Sequence, residues 1–120
     1  MLRATDDIRD DPRFLQGIEF FNAGEFLEAG DCLEDLFFEA VGWEVGYVRL
    51  FLQISVGMLH AERHQWRAAG ERLREGLIAL DRLSEGRELD LPVLRGDIVA
   101  AIEATRLETV PAMLIVSAKT

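Results

Sequence analysis

The chain has 120 residues, of which 49% are hydrophobic, and a formal net charge of −9; this suits one domain with its own core and excludes a disordered chain. Residues 1–43 carry three Arg against eleven Asp and Glu, an imbalance that excludes nucleic acid and anionic membrane surfaces as partners. Cys32 is the only cysteine, so no intrachain disulfide forms, and without a signal-peptide pattern or a bilayer-length apolar run the expected compartment is the cytoplasm.

Residues 1–11 are polar and acidic and read as a flexible leader, with a single domain over 12–120. Asp11 can cap a helix whose first position is Pro12. Phe14, Ile18 and Phe21 then share one face of a first helix that runs to about Phe21. Asn22 and Gly24 bracket a turn.

After the turn the apolar spacing is again helical. Phe26, Ala29, Leu33, Phe37 and Ala40 share a face, and Glu28, Asp31, Asp35 and Glu39 lie opposite. That acidic stripe is a solvated surface or a docking face for a basic partner. Glu34 falls on the border, where a partly desolvated carboxylate wants a partner. The same acidic neighbours would raise the Cys32 thiol pKa, which makes it a poor nucleophile. Gly42 is expected to end the second helix, and Trp43 and Tyr47 to pack over helix ends.

A third helix is expected from about Glu44 to His64. Val45, Val48, Leu50, Phe51, Leu52, Ile54, Val56, Met58 and Leu59 leave it no broad polar face, so it should be central and buried. Gly46 and Gly57 lower its propensity, and their expected use is close approach of a neighbouring helix. One narrow stripe differs: Arg49, Gln53, Gly57, His60 and His64 follow at helical spacing. Arg49 could meet Glu34, with Gln53 and His60 completing a polar cluster between the second and third helices. His60 and His64 also have the i, i+4 spacing of metal ligands on a helix. The plainer reading is an internal hydrogen-bonded network.

Gln65 to Leu83 form a fourth helix, with Trp66, Ala69, Gly70, Leu73, Leu77 and Leu80 on its apolar face. Residues 84–91 read as a loop. Asp90 can cap a fifth helix from about Leu91 or Pro92 to Leu107, and Pro111 breaks the pattern. The tail is apolar from Met113 to Val116 and packs back on the bundle or on a second subunit.

An internal repeat has an offset of forty residues. Phe26, Ala29, Gly30, Asp31 and Leu33 align with Trp66, Ala69, Gly70, Glu71 and Leu73. This is the pattern of helical-hairpin repeats of the tetratricopeptide type, with the Ala-Gly pair suited to tight packing within each hairpin. Two hairpins are too few for a solenoid, so the expected fold is all-α, a compact bundle of about five helices built from two hairpins.

Phe20-Phe21-Asn22, Gly24-Glu25-Phe26 and Glu28-Ala29 make one motif block. Gln53-Ile54-Ser55-Val56-Gly57-Met58-Leu59-His60-Ala61, followed by Trp66, makes a second. In order and spacing the two resemble the DUF309 family of small all-helical proteins, over about residues 12–83. The family pattern continues its first block with a histidine, two glutamates and a tryptophan. Here Gly30 stands for the histidine, Asp31 for the first glutamate and Phe37 for the tryptophan, while Glu34 retains the second glutamate. In the family such a cluster would bind a metal or perform acid–base chemistry; in this chain its remaining members are Glu34, Gln53 and His60. The resemblance implies a helical fold and no defined activity.

Two functional readings result. The first is a non-catalytic helical scaffold or protein-interaction domain, with a protein partner or a homo-oligomer. The second is a small enzyme or metal-binding protein whose site is Glu34, Arg49, Gln53 and His60, with Glu34 and His60 as catalytic candidates. No phosphate-binding glycine loop, paired-cysteine zinc pattern or nucleophile elbow occurs, and no cofactor is expected.

Overall fold

Asp11 starts the first long helix as its side chain predicts. Its Oδ1 accepts from Arg13 N at 2.9 Å, and Pro12 takes the first position, where a missing N–H costs nothing. The computed structural model describes residues 7–83, 89–112, 114 and 116. A 3₁₀ turn, Ile8–Asp10, leads into α1 (Pro12–Asn22), α2 (Phe26–Phe37), α3 (Trp43–Glu62), α4 (Trp66–Asp81) and α5 (Leu91–Arg106). No strand occurs among the described residues, so the fold is an all-α bundle of five helices.

The helices pack in chain order, each chiefly against the next, and the molecule is 43 Å long and 26 by 23 Å across. α3 is central: Val48, Leu50, Phe51, Ile54, Met58 and Ala61 are all buried. Phe14 of α1 reaches it through Tyr47 and Phe51, with ring centroids 5.5 Å apart in both pairs.

The hairpins repeat in geometry as well as in sequence. Gly24 and His64 have φ of 80° and 58°, and the next amides, Glu25 N and Gln65 N, each reach back five residues to Phe20 O and His60 O at 2.9 Å. This is the Schellman ending, in which a left-handed residue lets an orphan carbonyl be satisfied. α5 closes the same way: Glu108 has φ 56° and Thr109 N donates to Ala104 O at 2.9 Å. A glycine of each first helix also receives a leucine of the second. A Cβ on Gly17 would stand 3.0 Å from Leu33 Cγ, and one on Gly57 2.9 Å from Leu73 Cγ. Gly30 and Gly70 do not pack within their hairpins as the repeat suggested. They face the following helix, near Val56 and Thr105.

Three boundaries differ from the sequence reading. Within the stretch read as a leader, Ile8–Asp10 forms a 3₁₀ turn capped by Asp7, with Ile8 fully buried. α2 ends at Phe37, and Gly42 does not stop it but precedes α3, with φ 59° and ψ −130°. The Phe38–Gly42 link gives the chain room to reverse between antiparallel helices, which the continued spacing of Ala40 concealed. α3 stops at Glu62, and His64 belongs to the turn. The loop read at 84–91 and the leader before Asp7 fall largely outside the described residues. In the tail, Pro111, Leu114 and Val116 are buried in this same chain.

Candidate functional site

The polar stripe is divided among different partners. Glu34 is exposed on α2. The exposed Arg49 does not pair with it; its guanidinium lies 5.5 Å from the Phe37 ring centroid, a cation–π contact. Gln53 Oε1 accepts from Arg72 Nη1 of α4 at 3.3 Å. His60 Nδ1 lies 2.6 Å from Gln65 Oε1 across the turn.

The register of α2 on α3 explains the division. Gly30 lies opposite Val56 and Phe37 opposite Arg49. Glu34 is therefore level with Leu52 and Gln53. His60 is eight residues further along α3 than Leu52, about 12 Å along the helix axis. No hydrogen bond or ion pair joins any two of Glu34, Arg49, Gln53 and His60. The His60–His64 pair is not presented by one helix, because His64 stacks on Trp66 with ring centroids 5.0 Å apart and planes at 14°. Among the described residues no three His, Cys, Asp or Glu side chains gather as metal ligands. Burial, and then Asp31 and Asp35, push the Cys32 thiol up.

A cleft opens instead between the start of α3 and the end of α4, with a volume of about 250 Å³. Its mouth is built by local capping. Gly42 takes the left-handed conformation, and the buried Glu44 accepts from Val41 N at 3.0 Å, which fixes the chain's entry into α3. Trp43 thereby becomes the first residue of the helix, edge-on to Tyr47 with centroids 5.7 Å apart. The Arg9 guanidinium lies 5.8 Å from the Trp43 ring. Gly46 leaves the floor low; a Cβ there would meet only Leu83, at an ordinary 3.8 Å.

The floor of this cleft is apolar, from Tyr47, Ile78, Ala79 and Leu83, and its rim carries Arg49, Arg82 and Glu75. Neither Arg49 nor Arg82 has a carboxylate within salt-bridge distance among the described residues. Phe38 and Val41, in the link before the cleft, are 79% and 67% exposed. Sequence reasoning missed this region because it extended α2 through Ala40 and placed Trp43 over helix ends. The available signal was Phe38: one residue beyond Phe37, it turns about 100° off the buried face.

Residues 14–71 match the family model described as Domain of unknown function (DUF309). The matched stretch runs from Phe14 in α1 to Glu71 in α4 and contains both motif blocks. No curated protein and no solved structure matches the chain.

Proposed function

We propose that this chain, with its DUF309 match running from α1 into α4, is a non-catalytic interaction module. It takes an apolar, carboxylate-bearing segment of another protein into the cleft between α3 and α4. The observation that carries this reading is a pair of guanidinium groups, Arg49 and Arg82, with no carboxylate at salt-bridge distance among the described residues, above an apolar floor. Arginine is suited to bidentate capture of a carboxylate, and an apolar floor rewards the side chain beside it. The exposed Phe38 and Val41 extend the contact beyond the cleft, as the apolar anchors of protein interfaces do. The chain as a whole carries a net charge of −9, with the acidic excess in residues 1–43, so a carboxylate-bearing partner is drawn to this place rather than to the first hairpin.

Trp43 makes a reporter. The chain has two tryptophans, so Trp66→Phe leaves Trp43 alone in the cleft. The probe is a short peptide alternating leucine with glutamate, and the control is its lysine counterpart. A saturable change in Trp43 emission with the glutamate peptide alone, weakened about tenfold by Arg82→Ala, is the expected result. Equal responses to both peptides, or no saturable response, would overturn the reading. In Phe38→Ser the response should also weaken, because the link beside the cleft belongs to the same surface.

A further inference from the structure

The outer face of α5 carries more large exposed apolar residues than that of α1, α2 or α4, beside the exposed Arg95, Glu103 and Arg106. Val93, Val99 and the C-cap Leu107 are 50%, 43% and 58% exposed, and with Gly96, Ala100 and the exposed Glu103 they lie along one side of the helix over about 21 Å. A Cβ on Gly96 would meet nothing within 4 Å. The corresponding faces of α2 and α4 are charged: Glu28, Asp31, Glu34 and Asp35 on one, and Arg67, Glu71, Arg74 and Glu75 on the other, are all exposed. α5 is also the last helix, with α4 as its main neighbour, and no helix follows its closing turn among the described residues.

We propose that this face binds the same face of a second copy, α5 against α5 in antiparallel orientation, with Val99 at the two-fold axis. Charge decides the occupant and the direction. α5 carries two Arg, one Asp and one Glu, net zero in a chain of net −9. Two copies meeting here avoid the repulsion that two α2 faces would suffer. Antiparallel pairing about Val99 sets Glu103 opposite the partner's Arg95, and Arg95 opposite the partner's Glu103. A parallel pair would set like charges together.

Both groups are held ready. Arg95 Nε and Nη2 donate to Asp81 at 2.9 and 3.2 Å, which leaves Nη1 for the second copy. Glu103 is held by Arg106, whose Nε and Nη2 donate to its two oxygens at 2.9 and 2.5 Å, and a second donor on either oxygen's free lone pair would come from the other copy. Gly96 and Ala100 flank the axis and let the two backbones approach closely. One helix pair buries less than a standard interface, so the dimer is weak.

Sedimentation equilibrium of the full chain, from about 5 μM to about 1 mM, measures this directly. A monomer–dimer equilibrium abolished by Val99→Glu and unchanged in Phe38→Ser is the expected result. Glu103→Arg weakens the dimer about tenfold, and adding Arg95→Glu to it restores the affinity. Val99 is surface-exposed, and the helical circular dichroism of each variant verifies its fold. A monomer at every concentration overturns the proposal. So does a dimer that survives Val99→Glu, or one that Phe38→Ser dissolves, which would move the contact to the cleft end.

Discussion

Asn22 closes both faces of its side-chain amide on the backbone of Val116. Nδ2 donates to Val116 O at 3.0 Å, and Val116 N donates to Asn22 Oδ1 at 2.8 Å. The last residue of α1 thus does for the tail what a neighbouring strand would do, satisfying a donor and an acceptor that burial of Val116 takes from water. Leu114 and Val116 are held against the core at the end of the bundle where the three Schellman turns lie.

Replacing Asn22 by Ala should cost about 2 kcal/mol, near 1 kcal/mol for each lost hydrogen bond. Asn22→Asp keeps the acceptor, but sets a carboxylate oxygen against Val116 O, and should cost no less. Urea denaturation measures both losses. Amide exchange at Val116 should speed up in each variant; unchanged protection there would show that apolar burial alone holds the tail.

The hairpins rest on two glycines in different degrees from a third. Gly57→Ala gains helix propensity of about 1 kcal/mol but sets a methyl 2.9 Å from Leu73 Cγ and 3.2 Å from Leu73 N, so the net effect is a loss of about 1–3 kcal/mol. Backbone cannot move aside as a side-chain end can. Gly30→Ala meets only Val56, at an ordinary 4.0 Å, and should stabilise by up to about 1 kcal/mol. Thermal denaturation of the two variants should therefore shift in opposite directions.

The closing turns test the same backbone logic from the other side. Glu108 sits at φ 56°, where an L side chain costs roughly 1 kcal/mol that glycine does not. Glu108→Gly should raise stability by about that amount. His64→Gly should gain less, because it also removes the ring stacked on Trp66. Gly24→Ala, at φ 80°, should lose about 1 kcal/mol. Equal shifts for the Glu108 and His64 variants would mean that the stacking contributes nothing.

Helix starts were legible where a side chain marks them. Asp11 with Pro12 caps α1, and Asp90 accepts from Val93 N at 3.2 Å at the start of α5. Both local signals act within one turn, so no tertiary contact overrides them. The centrality of α3 was legible because a helix apolar on all sides has no stable place at a surface. The end of α2 was not, since Ala40 keeps the helical spacing while the chain has already left the helix. The polar cluster failed for a related reason. Spacing places Arg49, Gln53 and His60 on one face of α3, but the register that levels Glu34 with Gln53 depends on Gly30 meeting Val56, a contact between helices. Once Phe37 offers its ring, Arg49 has an alternative to Glu34. The α5 face was not legible because nothing in residue type separates Val93 and Val99 from Leu94 and Ile98; only their exposure does.

Acid should loosen the first hairpin through one linked group. Arg13 bridges the buried Asp11 and Glu39, with Nη2 donating to Asp11 Oδ2 and to Glu39 Oε1, both at 3.0 Å. These bonds tie the start of α1 to the link after α2. The side-chain hydrogen bond from Arg13 holds the Glu39 carboxyl below its ordinary value; Arg95 does the same for Asp81, and Arg106 for Glu103. A carboxylate whose folded pKa is depressed stabilises the fold above its unfolded pKa, about 4 for Asp and Glu, and loses that contribution as pH falls through the folded value. Stability should therefore be flat in this respect above about pH 5 and fall below about pH 4. Arg13→Ala removes the cause for Glu39 and takes the guanidinium from the buried Asp11, and should lower stability near neutral pH. Its acid slope should be shallower than that of the parent chain. Denaturation curves of both from pH 3 to pH 7 separate the outcomes, because parallel slopes would assign the acid sensitivity to the exposed Asp81 and Glu103 pairs instead.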